Sequence, residues 1–335
     1  MLNKIPGRGY LLIAILIFAA SNSVTRKITE LGGDNLIDGR NPISFCNVLF
    51  VGNLCALLAL IAIYGREWNP SSLRRLSVTD WIAMVVVAAL SGALASAMFF
   101  LALEQTAVNN LVLIGSIEPP ITLALSVFIL KARVNQQIVI GAILAFVGVV
   151  LTILLQPPTE INVMTGGGDS FRIGQGEIMT AVGAIASAIA GIISKIKLDK
   201  IHLGIITNFR TAVGTVIFFS ITAKLYGVAL FMDVFAPILW QWMLLYGLVI
   251  VGGQLSWLKG LKVTGAADVS LASSISPIAG IIFAFLILGE TPTMAHYIGG
   301  SIIILGIIFN QLGAARQRDS FDPREMENKV GFKGI

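Results

Sequence analysis

Residues 102–151 read ALEQTAVNNLVLIGSIEPPITLALSVFILKARVNQQIVIGAILAFVGVVL, and residues 260–309 read GLKVTGAADVSLASSISPIAGIIFAFLILGETPTMAHYIGGSIIILGIIF. Slid against each other by 158 positions without a gap, the two stretches superpose Leu103 on Leu261, Thr106 on Thr264, Ser116 on Ser274, Ile117 on Ile275 and Pro119 on Pro277. Leu130 then meets Leu288, Gly141 meets Gly299 and Gly148 meets Gly306. Self-similarity at a fixed spacing means two copies of one structural unit.

Both stretches are apolar over lengths that no soluble domain of this size needs. Across the 335 residues the apolar set makes up 56% and the charged set 12%, against roughly a quarter charged in ordinary globular chains; the mean hydropathy is +0.87. A hydrocarbon core of about 30 Å takes about 20 helical residues. Runs of that length predict ten spans near 9–28, 43–64, 81–103, 107–130, 136–155, 176–195, 203–223, 237–258, 266–288 and 295–312. Backbone groups in lipid must pair within their own segment, so the spans are helices. A β-barrel would show short alternating segments instead. The expected fold class is an all-α membrane protein of ten transmembrane helices.

Nearer the start the repeat offset becomes 167: Gly7 and Gly9 meet Gly174 and Gly176, Ala14 meets Ala181 and Ala19 meets Ala186. The difference of nine is an insertion between Arg26 and Pro42, predicted as the longest loop on its side. The units are residues 7–156 and 174–312, joined by a polar linker over 157–173 and followed by a tail over 313–335, expected to be flexible and cytoplasmic. Five spans per unit is an odd number, so the second copy enters the membrane from the opposite side. Two inverted five-helix repeats are the architecture of secondary transporters, with the substrate site near the midplane between the halves. A duplication that merely built a larger bundle is the competing reading.

Orientation follows from basic residues. With both termini cytoplasmic, seventeen lysines and arginines fall on that side and five on the other, and Arg210 lies inside a span. The positive-inside rule therefore sets both termini in the cytoplasm of a plasma (inner) membrane. Lys4 and Arg8 ahead of an apolar run ending in Ala19-Ala20 also fit a cleaved signal peptide, but cleavage would break the repeat.

The quoted stretches resemble the EamA-type repeat of the drug/metabolite transporter superfamily. There a proline follows a small-polar stretch in the fourth helix, Leu-Gly-Glu ends that helix, and a glycine-spaced fifth helix follows. Arg210 in NFRTAVGT is similar to the arginine of that family's second helix, and GRGYLLIAILIFAASNSVTRK to its first. The resemblance covers roughly residues 7–312. It implies ten helices, alternating access by rocking of the halves, and export of small metabolites. The first half departs from it: Lys131-Ala132-Arg133 stands where the second has Gly289-Glu290-Thr291, and Phe50-Val51-Gly52 stands where the arginine would be.

Glu118 is the sharpest candidate residue, twelfth in a span of 24. A charge at that depth costs at least about 2.5 kcal/mol, so it should face a cavity or a partner. It reads as a substrate-amine ligand or a proton carrier, or as a neutral acid bonded to a neighbouring helix. Pro119, Pro120 and Pro277 predict helix kinks, each freeing a carbonyl one turn earlier. Arg210 reads as a ligand for a substrate carboxylate, as a partner of Glu118, or as a snorkelling or helix-tying residue. Asn22, Gln254, Ser274 and Ser276 are candidate cavity-lining groups, though small polar residues also serve helix packing. Phe99 and Trp257 occupy equivalent positions and read as gates or as interfacial aromatics. Gly141/Gly148 and Gly299/Gly306 allow close helix contact, within the chain or across a homodimer, with packing favoured.

Cys46 and Cys55, nine residues apart, face opposite sides of one helix and cannot bridge. His202 and His296 sit at the ends of apolar runs, so neither a histidine relay through the membrane nor a metal site is expected. Gly166-Gly167-Gly168 lacks the lysine of a phosphate loop, and neither an enzyme constellation nor a nucleic-acid stripe occurs. No cofactor is expected. The sequence predicts a secondary transporter, chiefly an exporter, of a small polar metabolite such as an amino acid, with the lipid bilayer as solvent and with proton coupling and a homodimer left open. The alternatives are sugar-phosphate or nucleotide-sugar transport, and a non-transporting sensor or scaffold.

Overall fold

A computed structural model describes residues 7–37, 41–65, 68, 73–74, 76–131, 134–155, 174–198, 201–226, 228–264, 272 and 275–319. Among them the regular structure is helical: α1 (Gly7–Gly33), α2 (Phe45–Tyr64), α3 (Val78–Gln105), α4a (Val108–Gly115), α4b (Glu118–Leu130), α5 (Gln136–Leu154), α6 (Gln175–Lys197), α7 (Leu203–Tyr226), α8 (Pro237–Val263), α9 (Ser276–Leu288) and α10 (Met294–Asp319). Nine helical units among the described residues are long and apolar enough to cross a membrane, α4a and α4b counting as one. The tenth element, α9, is a shorter apolar helix, and most of its expected first half lies outside the described residues. Phe128, Leu286 and Leu58 are among the large side chains left on the outside, as a lipid-facing surface requires.

Inter-helix packing obeys the repeat. α1 packs on α8 as α6 packs on α3; α1 on α9 as α6 on α4; and α3 on α7 as α8 on α2. Three further pairs, α2 with α7, α5 with α10 and α4 with α9, each join a helix to its own counterpart. Exchanging the halves maps this set of contacts onto itself, which is the behaviour of a two-fold axis.

The glycines make the axis concrete. Gly141 lies against Gly306 and Gly148 against Gly299, so α5 and α10 run antiparallel. At all four positions a Cβ would stand 2.5–2.7 Å from the carbonyl oxygen of the facing glycine. That is closer than any side chain can come, and small residues of this kind let helices approach in lipid, where dispersion contacts hold them together. The contact is within the chain. A second close crossing joins α3 and α7 at Gly92 and Gly214, where a Cβ on Gly214 would fall 2.7 Å from the Gly92 carbonyl carbon. At Gly92, α3 widens over Ala88–Ala95 into wider-than-α turns.

Three boundaries differ from the hydropathy reading. α1 continues to Gly33, beyond the expected Ile28, because Arg26 and Lys27 each pair with Glu30 along the helix and carry the ladder past the apolar run. α10 continues to Asp319, so the first part of the expected tail, from Gly313, is helical; its Ala, Arg and Gln residues are good helix formers. The fourth span is two helices, interrupted at Ser116-Ile117. The linker over 157–173 and the tail beyond Asp319 lie outside the described residues.

Candidate functional site: a central cavity and a polar cluster

The interruption in the fourth span follows from chemistry. Pro119 and Pro120 have no N–H, so the carbonyls of Gly115 and Ser116 lose their i+4 donors and the chain tightens into a 3₁₀ turn. Ser116 N–H donates to Leu113 and Ile117 N–H to Ile114, each at 3.1 Å. The helix restarts at Glu118. One repeat later, α9 likewise begins at Ser276 with Pro277 next. Glu118 and Ser276 are counterparts under the offset of 158.

Both line a cavity of about 820 Å³ between α1, α3, α4, α8, α9 and the α5/α10 pair, inside the roughly 300–1,000 Å³ range of small-molecule sites. Of the expected residues, Asn22, Phe99, Glu118, Pro119, Pro120, Ser276 and Pro277 are on its wall. Thr25, Tyr246 and Asn310 are on it as well and were not expected. The Thr25 hydroxyl donates to Tyr246 Oη at 3.2 Å. Tyr246, one of five tyrosines, sits well inside the eighth apolar run; a phenol at that depth needs a polar partner, and that was the available signal.

The wall is chemically lopsided. Glu118 is its one carboxylate, and no lysine, arginine or histidine belongs to it among the described residues. Within those residues Glu118 has neither a hydrogen-bond nor an ion-pair partner, and the side chains of Asn22, Ser276 and Asn310 are likewise unbonded. By contrast the Ser21 and Ser116 hydroxyls are already committed to carbonyls of their own helices, at 2.6 and 2.9 Å. Unspent polar capacity in a cavity is filled by water or by a ligand.

The other expected residues lie elsewhere. Arg210 stands off the wall, beside Gly92 at the α3–α7 crossing, and is not paired with Glu118. Trp257 is behind the wall, edge-on to the cavity residue Phe18 at 6.5 Å between ring centres. The side chain of Gln254 and the whole of Ser274 lie outside the described residues.

A second polar group gathers at the end of the bundle opposite the termini, where α3 passes to α4a and α6 and α10 begin. Glu290 accepts from the backbone N–H groups of Val108 and Asn109, at 3.0 and 3.1 Å, and so caps α4a. Glu177, buried on α6, accepts from the Thr106 hydroxyl at 2.6 Å and from the Asn110 amide at 3.0 Å. Asn110 Oδ1 lies 2.6 Å from His296 Nε2. Sequence reasoning set His296 aside as a boundary residue; the structure buries it. Among the described residues no cluster of side chains suited to a metal ion occurs.

Comparison with known proteins agrees with this architecture. The model of the EamA-like transporter family matches residues 6–154 and again residues 174–311. An uncharacterized transporter of Synechocystis sp. is 46% identical over 334 residues, which covers 97% of this chain and 95% of that protein. The uncharacterized transporter YyaM of Bacillus subtilis is 25% identical over 271 residues, covering 77% and 80%. A crystal structure of another protein superposes with a TM-score of 0.55 over 91% of this chain and 98% of its own, at 16% identity, a likeness of fold.

Proposed function

The chain belongs to the EamA-like transporter family, and on that premise we propose that it carries a small polar metabolite, an amino acid or related amphipathic amine, by alternating access through the Glu118 cavity. The observation that carries this reading is the Glu118 carboxylate, without a partner among the described residues, on a wall to which they contribute no cation. A half-buried carboxylate of this kind is stabilised by a substrate ammonium or by a proton, and exchange between the two couples their movements. Asn22, Ser276 and Asn310 offer neutral hydrogen-bonding groups for the rest of the molecule, and Phe18, Phe99 and Phe100 an apolar surface. We read the direction as export, with both termini cytoplasmic. A homodimer is compatible with this reading, although the paired glycines of α5 and α10 are used within the chain.

The wall disfavours sugar phosphates and nucleotide sugars, because a dianion wants paired cations. Its open, unspent polar groups disfavour a sealed scaffold. The test is efflux from proteoliposomes loaded with amino acids, purines, sugars and sugar phosphates, read by mass spectrometry. Selective loss of amines is expected. Selective loss of phosphates would replace the substrate class, and no loss of any compound from verified folded protein would end the transport reading.

A further inference from the structure

The hydrogen bonds of His296 fix its tautomer. The backbone N–H of Thr293 donates to Nδ1 at 2.9 Å, and a backbone N–H can only donate. Nδ1 is therefore the unprotonated nitrogen, and Nε2 carries the hydrogen that goes to Asn110 Oδ1 at 2.6 Å. The Asn110 amide passes the chain on, donating to Glu177 Oε1 at 3.0 Å and to the Thr106 hydroxyl at 2.9 Å. One neutral imidazole thus ties α10 to α4a and, through Asn110, to α6, at the end of the bundle where Glu290 also fastens α4a to the loop before α10.

We propose that His296 is a proton-binding site separate from the substrate cavity, and that a proton taken up there releases this end of the bundle. The inference rests on the transporter reading for its purpose, though not for its chemistry. A proton from water adds to Nδ1, and the imidazolium then donates from both nitrogens. The Thr293 hydroxyl, 2.8 Å away, can turn to accept from the new N–H; the Thr293 backbone N–H cannot, and must leave. The imidazolium also stands in the first turn of α10, where the positive end of the helix dipole opposes it. Among the described residues the carboxylates gathered around it are Glu177, reached through Asn110, and Glu290 in the preceding loop. The facing helices α5 and α4a carry no titratable side chain, and Tyr297 is the titratable neighbour on α10 itself. Burial disfavours the charged ring, so uptake of the proton needs acid and comes at the cost of the bonds that hold the helix start.

The device is one-sided. Under the repeat offsets, Glu177 corresponds to Tyr10 and His296 to Ile138. The opposite end therefore lacks both terminal members of the chain, and this device is built into one end only.

The experiment is hydrogen–deuterium exchange on the full-length protein in lipid nanodiscs at about pH 8 and about pH 5.5, either side of the histidine range, with rates corrected for intrinsic exchange. Amides over 293–297 and 108–110 are expected to lose at least tenfold protection in acid. His296→Gln should show no such difference, and Asn110→Ala should already exchange fast at the higher pH. Equal corrected protection of the wild-type protein at both pH values overturns the proposal, as does a pH response that survives in His296→Gln. Flux from the same preparation separates the two readings. Flux without pH-dependent exchange removes the proton site and leaves transport, whereas pH-dependent exchange without flux for any compound leaves the proton site and removes transport.

Discussion

Glu118 and Ser276 are the same position in two inverted copies: each is the first residue of a helix and stands directly ahead of a proline, and both line one cavity. The chain has thus placed a charge in one copy and a hydroxyl in the other, on a wall that is otherwise neutral among the described residues. A site with two equivalent edges and a single charge binds an asymmetric ligand in one sense.

Charge, more than shape, should therefore decide what Glu118 does. Glu118→Gln keeps the volume and one acceptor, so the protein should fold with an unchanged melting temperature while amine flux falls at least about tenfold, the loss of one charge-assisted hydrogen bond. Coupling to an imposed proton gradient should vanish with it. Flux and coupling like those of the wild type would remove Glu118 from the mechanism.

Gly306→Val should lower stability by about 1–3 kcal/mol, the cost of overpacking a site where the facing backbone cannot retreat. Gly191→Ala is the contrast. A Cβ at Gly191 meets nothing within 4 Å, and replacing a mid-helix glycine by alanine should stabilise α6 by about 0.5–1 kcal/mol. Thermal unfolding in detergent reads both, and equal shifts of the same sign would contradict the packing account.

Lys131 and Gly289 end equivalent helices with φ of 53° and 72°. Only the glycine adopts that region without strain. Gly289→Ala has open space around the new methyl, so its cost should be conformational alone, about 1 kcal/mol. Lys131→Gly should move stability the other way, by less, because the unfolded chain gains freedom. A stabilising Gly289→Ala would show that the backbone relaxes out of this conformation.

Glu290→Ala uncaps the first two N–H groups of α4a, and about 1–2 kcal/mol should be lost. Glu290→Gln keeps an acceptor and should recover part of it. Hydrogen exchange localised to Val108–Asn110 distinguishes this from a general loosening. Unaltered exchange there in Glu290→Ala would mean that the cap contributes nothing.

The fold was legible because hydropathy and the repeat offset are written in contiguous sequence. Each span is a run of apolar residues, and the pairing of Pro119 with Pro277 marks the broken helices before any coordinates exist. Hydropathy reports where lipid ends, however, and not where a hydrogen-bond ladder ends, which is why α1 and α10 outrun their apolar runs. Much of the cavity wall was legible for a similar reason: Glu118, Asn22 and Ser276 are polar residues stranded in apolar surroundings. His296 was not. It lies beside the boundary of a span, where a histidine is unremarked, and its partner Asn110 is 186 positions away. The Glu290 cap spans 182 positions. Such contacts are made by the inversion itself, and no local pattern announces them.

The glycine seam of α5 and α10 has an implication for where this chain came from. A contact in which Gly141 meets Gly306 and Gly148 meets Gly299 is, once the repeat is folded out, one surface greeting its own copy upside down. A half-length ancestor inserted both ways round in the same bilayer would have made that handshake between two separate molecules. Within one chain each side is free to diverge, so that a substitution which would strike such a two-molecule seam twice strikes this one once.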